Sequence, residues 1–131
     1  MQLIDNALLD AISQEAQSSV RLRMNFNFHG SAVSPSQRLI NALEPGTTLP
    51  IHRHLHTQET YILLRGRMRV LFYHSDKTLQ EEVELNPLVG IFGINIPAGQ
   101  WHTIEVLESG STIFECKDGP YSPLEAEDIL K

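Results

Sequence analysis

The chain has 131 residues with a formal net charge of −6, 41% hydrophobic and 20% charged side chains, which describes one globular domain with a real core. The acidic balance excludes a general nucleic-acid binder, and the lone Cys116 excludes an internal disulfide framework and fits a reducing cytoplasm. No apolar run reaches the ~20 residues needed to cross a bilayer, and the first twelve residues lack the basic start of a signal peptide.

Residues 1–19 read as a helical segment. Leu3, Ile4, Ala7, Leu8, Ala11 and Ile12 recur at helical spacing, and the pattern fades through the polar run Ser13–Ser19. From Val20 the period becomes two, with Leu22, Met24, Phe26 and Phe28 alternating with polar residues as in a strand with one apolar face. A loop containing Pro35 follows, then a strand over Gln37–Leu43 that stops at Pro45-Gly46. Ile51–His56 reads as a short extended segment. Glu59–Leu64 and Met68–Tyr73 flank Arg65-Gly66 as a hairpin would, and Gln80–Leu85 follows the turn at Ser75-Asp76-Lys77. Trp101–Leu107 and Thr112–Lys117 read as a last strand pair around Ser109-Gly110. Ser122-Pro123-Leu124-Glu125 has the form of a capping box, which predicts a short C-terminal helix over the tail 122–131. Many short strands between turn signals make residues 20–121 an all-β sandwich or barrel with helical ends.

The chemistry concentrates in His52, His54, His56, Glu59 and His102. Alternate strand positions share a face, so two of the three clustered imidazoles can converge on one metal ion. A carboxylate from the start of the next strand and His102 from a distant strand join them only if the sheet curls on itself. A solvated His-x-His-x-His run is the alternative. The frame around the histidines decides against it: Gly46, five residues, His52, one residue, His54, four residues, Glu59, six residues, Gly66. This resembles the first signature of the cupin superfamily at every fixed position. Pro97, Gly99 and His102 match the second signature, while Val106 replaces its trailing Asn and the leading Gly stands one residue out of register at Gly90.

Between Arg21 and Tyr121 the chain also resembles the small cupin-fold metalloproteins of the WbuC type. The likeness lies in Arg23-Met24-Asn25, His29-Gly30-Ser31, Gln37 to Gly46, His52-Arg53-His54, Pro97 to Thr103, and Phe114 to Tyr121. The resemblance implies a single-domain double-stranded β-helix, or jelly-roll barrel, with short helices at either end. It also implies a metal centre and a link to bacterial surface-polysaccharide biosynthesis, and suggests a homodimer.

The expected metal ligands are His52, His54, Glu59 and His102, holding one divalent ion of Fe, Zn, Ni, Co or Mn, among which these donors do not choose. Four protein ligands on an octahedral ion leave two positions for water, substrate or dioxygen. His56 is placed just past the site by spacing. Asn25 and His29 share a strand face, Arg38 and Asn41 lie on the next strand, and Tyr61 shares parity with Glu59. These, with His56, are the candidate contacts to a small-molecule ligand, Arg38 suiting an anionic group. Arg65, Arg67 and Arg69 read as a solvated face, Trp101 as packing beside His102, and Cys116 as a small core residue. The reading is a metal-dependent enzyme on a sugar or sugar-derived acid, of oxygenase or isomerase/epimerase type; the alternative is a non-catalytic binding or sensing cupin.

Overall fold

A computed structural model describes residues 1–131, and eight strands form two antiparallel sheets that face each other. The strands are β1 (Arg23–Asn27), β2 (Ser36–Leu43), β3 (Glu59–Arg65), β4 (Met68–Tyr73), β5 (Leu79–Leu85), β6 (Gly93–Ile96), β7 (Trp101–Val106) and β8 (Ser111–Asp118). The larger sheet runs β1-β2-β8-β3-β6 and the smaller β5-β4-β7. Between them lies the main core, including Leu43, Leu63, Met68, Val70, Leu85, Ile96, Ile104 and Ile113, as expected of a jelly-roll barrel.

Two expected hairpins are absent for a single reason. β3 belongs to the larger sheet and β4 to the smaller, and β7 and β8 are divided in the same way. The turns at Arg65-Gly66 and Ser109-Gly110 therefore carry the chain from one wall of the barrel to the other. β4 and β5 do pair across the Ser75-Asp76-Lys77 turn.

The larger sheet packs against other elements on both faces. Register places Leu43, Ile113, Leu63, Tyr61 and Glu59 on the inward side. Ile40, Ala42 and Phe114 face outward, where helix α1 (Asn6–Ser18) packs Leu9, Ile12 and Ala16 on them. Burying Leu9 and Ile12 there contributes on the order of 2 kcal/mol each. The helix phase differs from the expected one: Asp5 caps the first turn by accepting from Leu8 N at 3.0 Å, so Leu3 and Ile4 lie outside it and exposed. It also runs on through Ser18, because Ser13 and Ala16 are buried and Arg65 reaches across to Asp10 at 2.8 Å and to Ser13 at 3.3 Å. No helix is long and apolar enough to cross a membrane.

The capping box at Ser122 does not form. The C-terminal helix is one 3-10 turn over Ala126–Asp128, and the tail is instead clipped to the histidine segment. Arg53 N donates to Asp128 O at 3.0 Å, Leu130 N to Ile51 O at 2.9 Å, and the Arg53 guanidinium to Asp128 Oδ1 at 3.0 Å. Arg67 and Arg69 do lie outside the barrel, near Glu84 and, for Arg69, Glu105. Cys116 is exposed on the outward face of β8, which overturns its expected place in the core.

The crossing at Gly66 is tight. Its φ is +96°, and a Cβ there would stand 2.6 Å from Ser111 Cα. Gly66→Ala is expected to cost about 2 kcal/mol or more through backbone strain and the forced displacement of β8. Gly30→Ala, with no atom within 4 Å of the added carbon, is expected to stay within about 0.5 kcal/mol of the parent. Urea denaturation of both variants checks the contrast.

Candidate metal centre

Residues 51–56 form no regular strand, yet their backbone is held extended from both sides. His52 exchanges hydrogen bonds with His102, N to O at 3.0 Å and O to N at 2.8 Å. Arg53 N turns the other way to Asp128, and Gly99 N donates to His54 O at 2.8 Å. Side chains therefore alternate here without a regular strand. His52 and His54 face one way, while Arg53 stacks its guanidinium 4.5 Å from the Trp101 ring centre. That places Trp101 against Arg53, and alternation along β7 turns it away from His102.

The side-chain donor atoms of His52, His54 and His102 lie within 4.8 Å of one another, a grouping able to hold a metal ion. Two of the rings are fixed by the backbone. His52 Nδ1 lies 2.9 Å from Pro50 O and His102 Nδ1 lies 2.9 Å from Gln100 O. A carbonyl only accepts, so each Nδ1 carries the hydrogen and each Nε2 keeps its lone pair for a ligand.

Glu59 opens β3 with its carboxylate 3% exposed and against the cluster. Its Oε1 is 2.8 Å from His54 Nε2, and its Oε2 accepts from Tyr61 Oη at 2.9 Å. Oε2 also stands 3.3 Å from His102 Nε2, which has no hydrogen-bond partner although His102 is only 1% exposed. A nitrogen lone pair facing a carboxylate oxygen in a dry site repels it unless a positive charge joins them. The donors present thus fit a divalent cation on their own chemistry.

The electrostatics agree. Burial, then the neighbouring His102, pushes the His52 imidazole down to about 4 despite the Pro50 carbonyl, so it is neutral and able to ligate near pH 7. Burial alone would raise Glu59, but the neighbouring His102 and His54 rings hold it well below the ordinary carboxylate range. Burial, with Glu115 and Glu59 nearby, keeps the Tyr61 phenol well above its usual value and hence protonated.

The other expected contacts divide. Exposed His56 lines the cavity before His54, which is walled by the C-terminal tail, and it lies outside the three-histidine grouping. Asn25 and His29 line a separate cavity over the inward face of β1, β2 and β8, and Asn41 touches that cavity's wall through Glu115. Arg38 is not brought to either: it is exposed on the outward face, paired in register with Cys116. Sequence reasoning missed Gln37, Glu115 and Lys117. The available signal was two charged residues at the parity of Ile113 on the last strand.

Glu115 and His52 pull stability in opposite directions with pH. Burial and the charge of Glu59 push the Glu115 carboxyl up to about 7 from an ordinary 4.5. Its contribution is therefore lost as pH rises from 4.5 towards 7, because the unfolded chain gives up that proton first. His52 is lowered from 6.5 to about 4, so its contribution is complete above 6.5 and is lost as pH falls. In metal-free protein the two slopes offset each other between pH 4.5 and 6.5. Glu115→Gln is expected to leave stability rising with pH by about 1 kcal/mol per unit, and His52→Gln to leave it falling. Urea midpoints in chelator across that window read the two signs; the same sign in both variants contradicts the assignment.

Comparison with solved structures shows where else this architecture occurs. The chain is similar to the capsular polysaccharide assembling protein CapF from Staphylococcus aureus, with 21% identity and a TM-score of 0.66 over 80% of this chain and 30% of that one. It is similar to KdgF from Halomonas sp., with 15% identity and a TM-score of 0.60 over 76% of this chain and 80% of that one. It is also similar to an oxalate oxidase, with 13% identity and a TM-score of 0.62 over 83% of this chain and 57% of that one. The chain thus spans under a third of CapF's length. These likenesses establish the cupin fold. No curated protein matches the chain. Among protein families, the model described as Domain of unknown function (DUF6016) matches residues 4–85, well over half of the sequence. The chain belongs to the DUF6016 family.

Proposed function

We propose that this protein is a divalent-metal cupin whose ion sits on His52, His54, His102 and Glu59, and that it is an enzyme acting on a small polar molecule such as a sugar or sugar-derived acid. The observation that carries the reading is the pair of imidazoles whose Nδ1–H groups are spent on Pro50 and Gln100 carbonyls, leaving both Nε2 atoms for a cation. A bound divalent ion supplies Lewis-acid polarisation of a substrate oxygen or a bound water of lowered pKa. The chain's own part is to orient and to exclude solvent. Tyr61 holds Glu59 by one oxygen, and the clipped tail walls the cavity before His54, where His56 and Thr57 stand ready for substrate. Oxygenation and isomerisation or epimerisation both suit such a centre. The WbuC-type resemblance and the name of CapF support a place in bacterial surface-polysaccharide synthesis.

A non-catalytic reading has one observation in its favour. His52 and His102 already join the tail-bearing segment to β7, so an ion between their rings would brace the barrel wall. Turnover decides between the two readings.

His52→Ala, His54→Ala and His102→Ala are each expected to lose most bound metal by plasma mass spectrometry of tag-free protein, while His56→Ala keeps near-stoichiometric metal. A metal-free His56→Ala beside a metal-replete His52→Ala would sink the ligand assignment. Tyr61→Phe removes the hydroxyl that steadies Glu59, and its metal affinity is expected to fall about tenfold in competition with a chromophoric chelator.

A further inference from the structure

The cavity over the inward face of β1, β2 and β8 encloses about 400 Å³, within the ~300–1,000 Å³ range of small-molecule sites. Its polar wall lies on the same sheet face that forms the barrel core farther along at Ile113 and Leu43. Gln37 is only 5% exposed, yet its Nε2 has no hydrogen-bond partner. A buried amide donor without a partner costs about 1–3 kcal/mol, and a ligand oxygen in the cavity would recover it. Asn41 donates to Glu115 Oε1 at 3.4 Å and so steadies the carboxyl that borders the cavity. Asn25 on the neighbouring β1 and His29 just beyond it complete the lining, and Tyr121 stands at the rim with a half-exposed ring. Lys117 borders both this cavity and the one before His54, with its Nζ 3.8 Å from Glu59 Oε1.

We infer that this cavity binds a sugar acid, its hydroxyls on Gln37, Asn25, His29 and Glu115, and its carboxylate on Lys117 at the side nearest the metal centre. Amides and a carboxyl present alternating donors and acceptors, which suit vicinal hydroxyls and offer nothing to an apolar ligand. Lys117 is the one Lys or Arg on the wall, and a single cation matches a single carboxylate and falls short of a phosphate or a nucleotide. The exposed Tyr121 ring gives a sugar's C–H face an apolar contact. The inference rests on the metal-dependent reading for what becomes of the ligand, and stands apart from it on whether the ligand binds.

The test is isothermal titration of the full chain with D-glucuronate and with D-glucose, alongside zinc stoichiometry. Saturable glucuronate binding tighter than glucose binding is expected. Gln37→Leu, which removes no hydrogen bond of the fold, is expected to weaken glucuronate about tenfold without lowering the melting temperature, and the exposed variant Asn25→Ala to weaken it as well. Lys117→Gln should abolish the preference for glucuronate over glucose, and Arg38→Ala on the outward face should change nothing. No saturable binding of either sugar, or equal binding by wild type and Gln37→Leu, overturns the inference. Zinc bound without any effect of Gln37→Leu removes the sugar site and leaves the metal reading intact. Gln37-dependent sugar binding in a chain that takes no zinc does the reverse.

Discussion

The exchange of backbone hydrogen bonds between His52 and His102 is the constraint from which the site follows. These residues are fifty positions apart, and neither belongs to a motif that could find the other locally. Once their amides and carbonyls pair, the two side chains must leave the backbone on the same side, and their ring centres come to 4.4 Å. His54 follows by alternation, and the hydrogen bond from Gly99 holds its carbonyl on the same edge. The Nδ1 contacts to Pro50 and Gln100 then fix which nitrogen faces inward. An irregular segment thus gains the precision of a sheet without being a strand.

The larger sheet meets a second demand, because it must bury both of its faces. Helix α1 takes the outward one and the smaller sheet takes the inward one, but β4, β5 and β7 are too few to cover five strands. The inward face of β1 and the lower part of β2 and β8 consequently stay uncovered, and it is there that Asn25, Asn27, Gln37, Glu115 and Lys117 appear. Polarity on that face is the expected answer to incomplete burial. What is not explained by burial alone is an amide that is enclosed and still unpaired, or a carboxyl crowded towards another carboxylate. Such arrangements lower stability and persist where a ligand is served.

Much of this was legible in the residues, and the rest was hidden for physical reasons. The spacing from Gly46 to Gly66 pointed to His52, His54 and Glu59 as one set, and strand boundaries such as Met68–Tyr73 came directly from alternation. Sheet membership did not. Arg65-Gly66 has the composition of a hairpin turn, and nothing local distinguishes a turn that pairs its flanks from one that crosses between walls. Strand β8 hid its parity because it is flanked on both faces: Ile113 and Phe114 are adjacent and both apolar, which erases the period of two. Without that period, nothing in the sequence sets Cys116 on one face of β8 and Glu115 and Lys117 on the other. The tail's capping box lost to a tertiary contact, since pairing Ile129 and Leu130 with the histidine segment satisfies more backbone than a short exposed helix could.

Cys116 has a practical value that follows from that same alternation. It is the only thiol in the chain, it is exposed, and its two neighbours along β8 are the inward-facing Glu115 and Lys117. A fluorophore or nitroxide attached there would stand outside the barrel, one sheet thickness from the cavity, without occupying it. Any shift of β8 that accompanies filling of the interior would reach the label through a single peptide bond on either side. The wild-type chain thus already carries the one attachment point that a spectroscopic reporter of its interior requires.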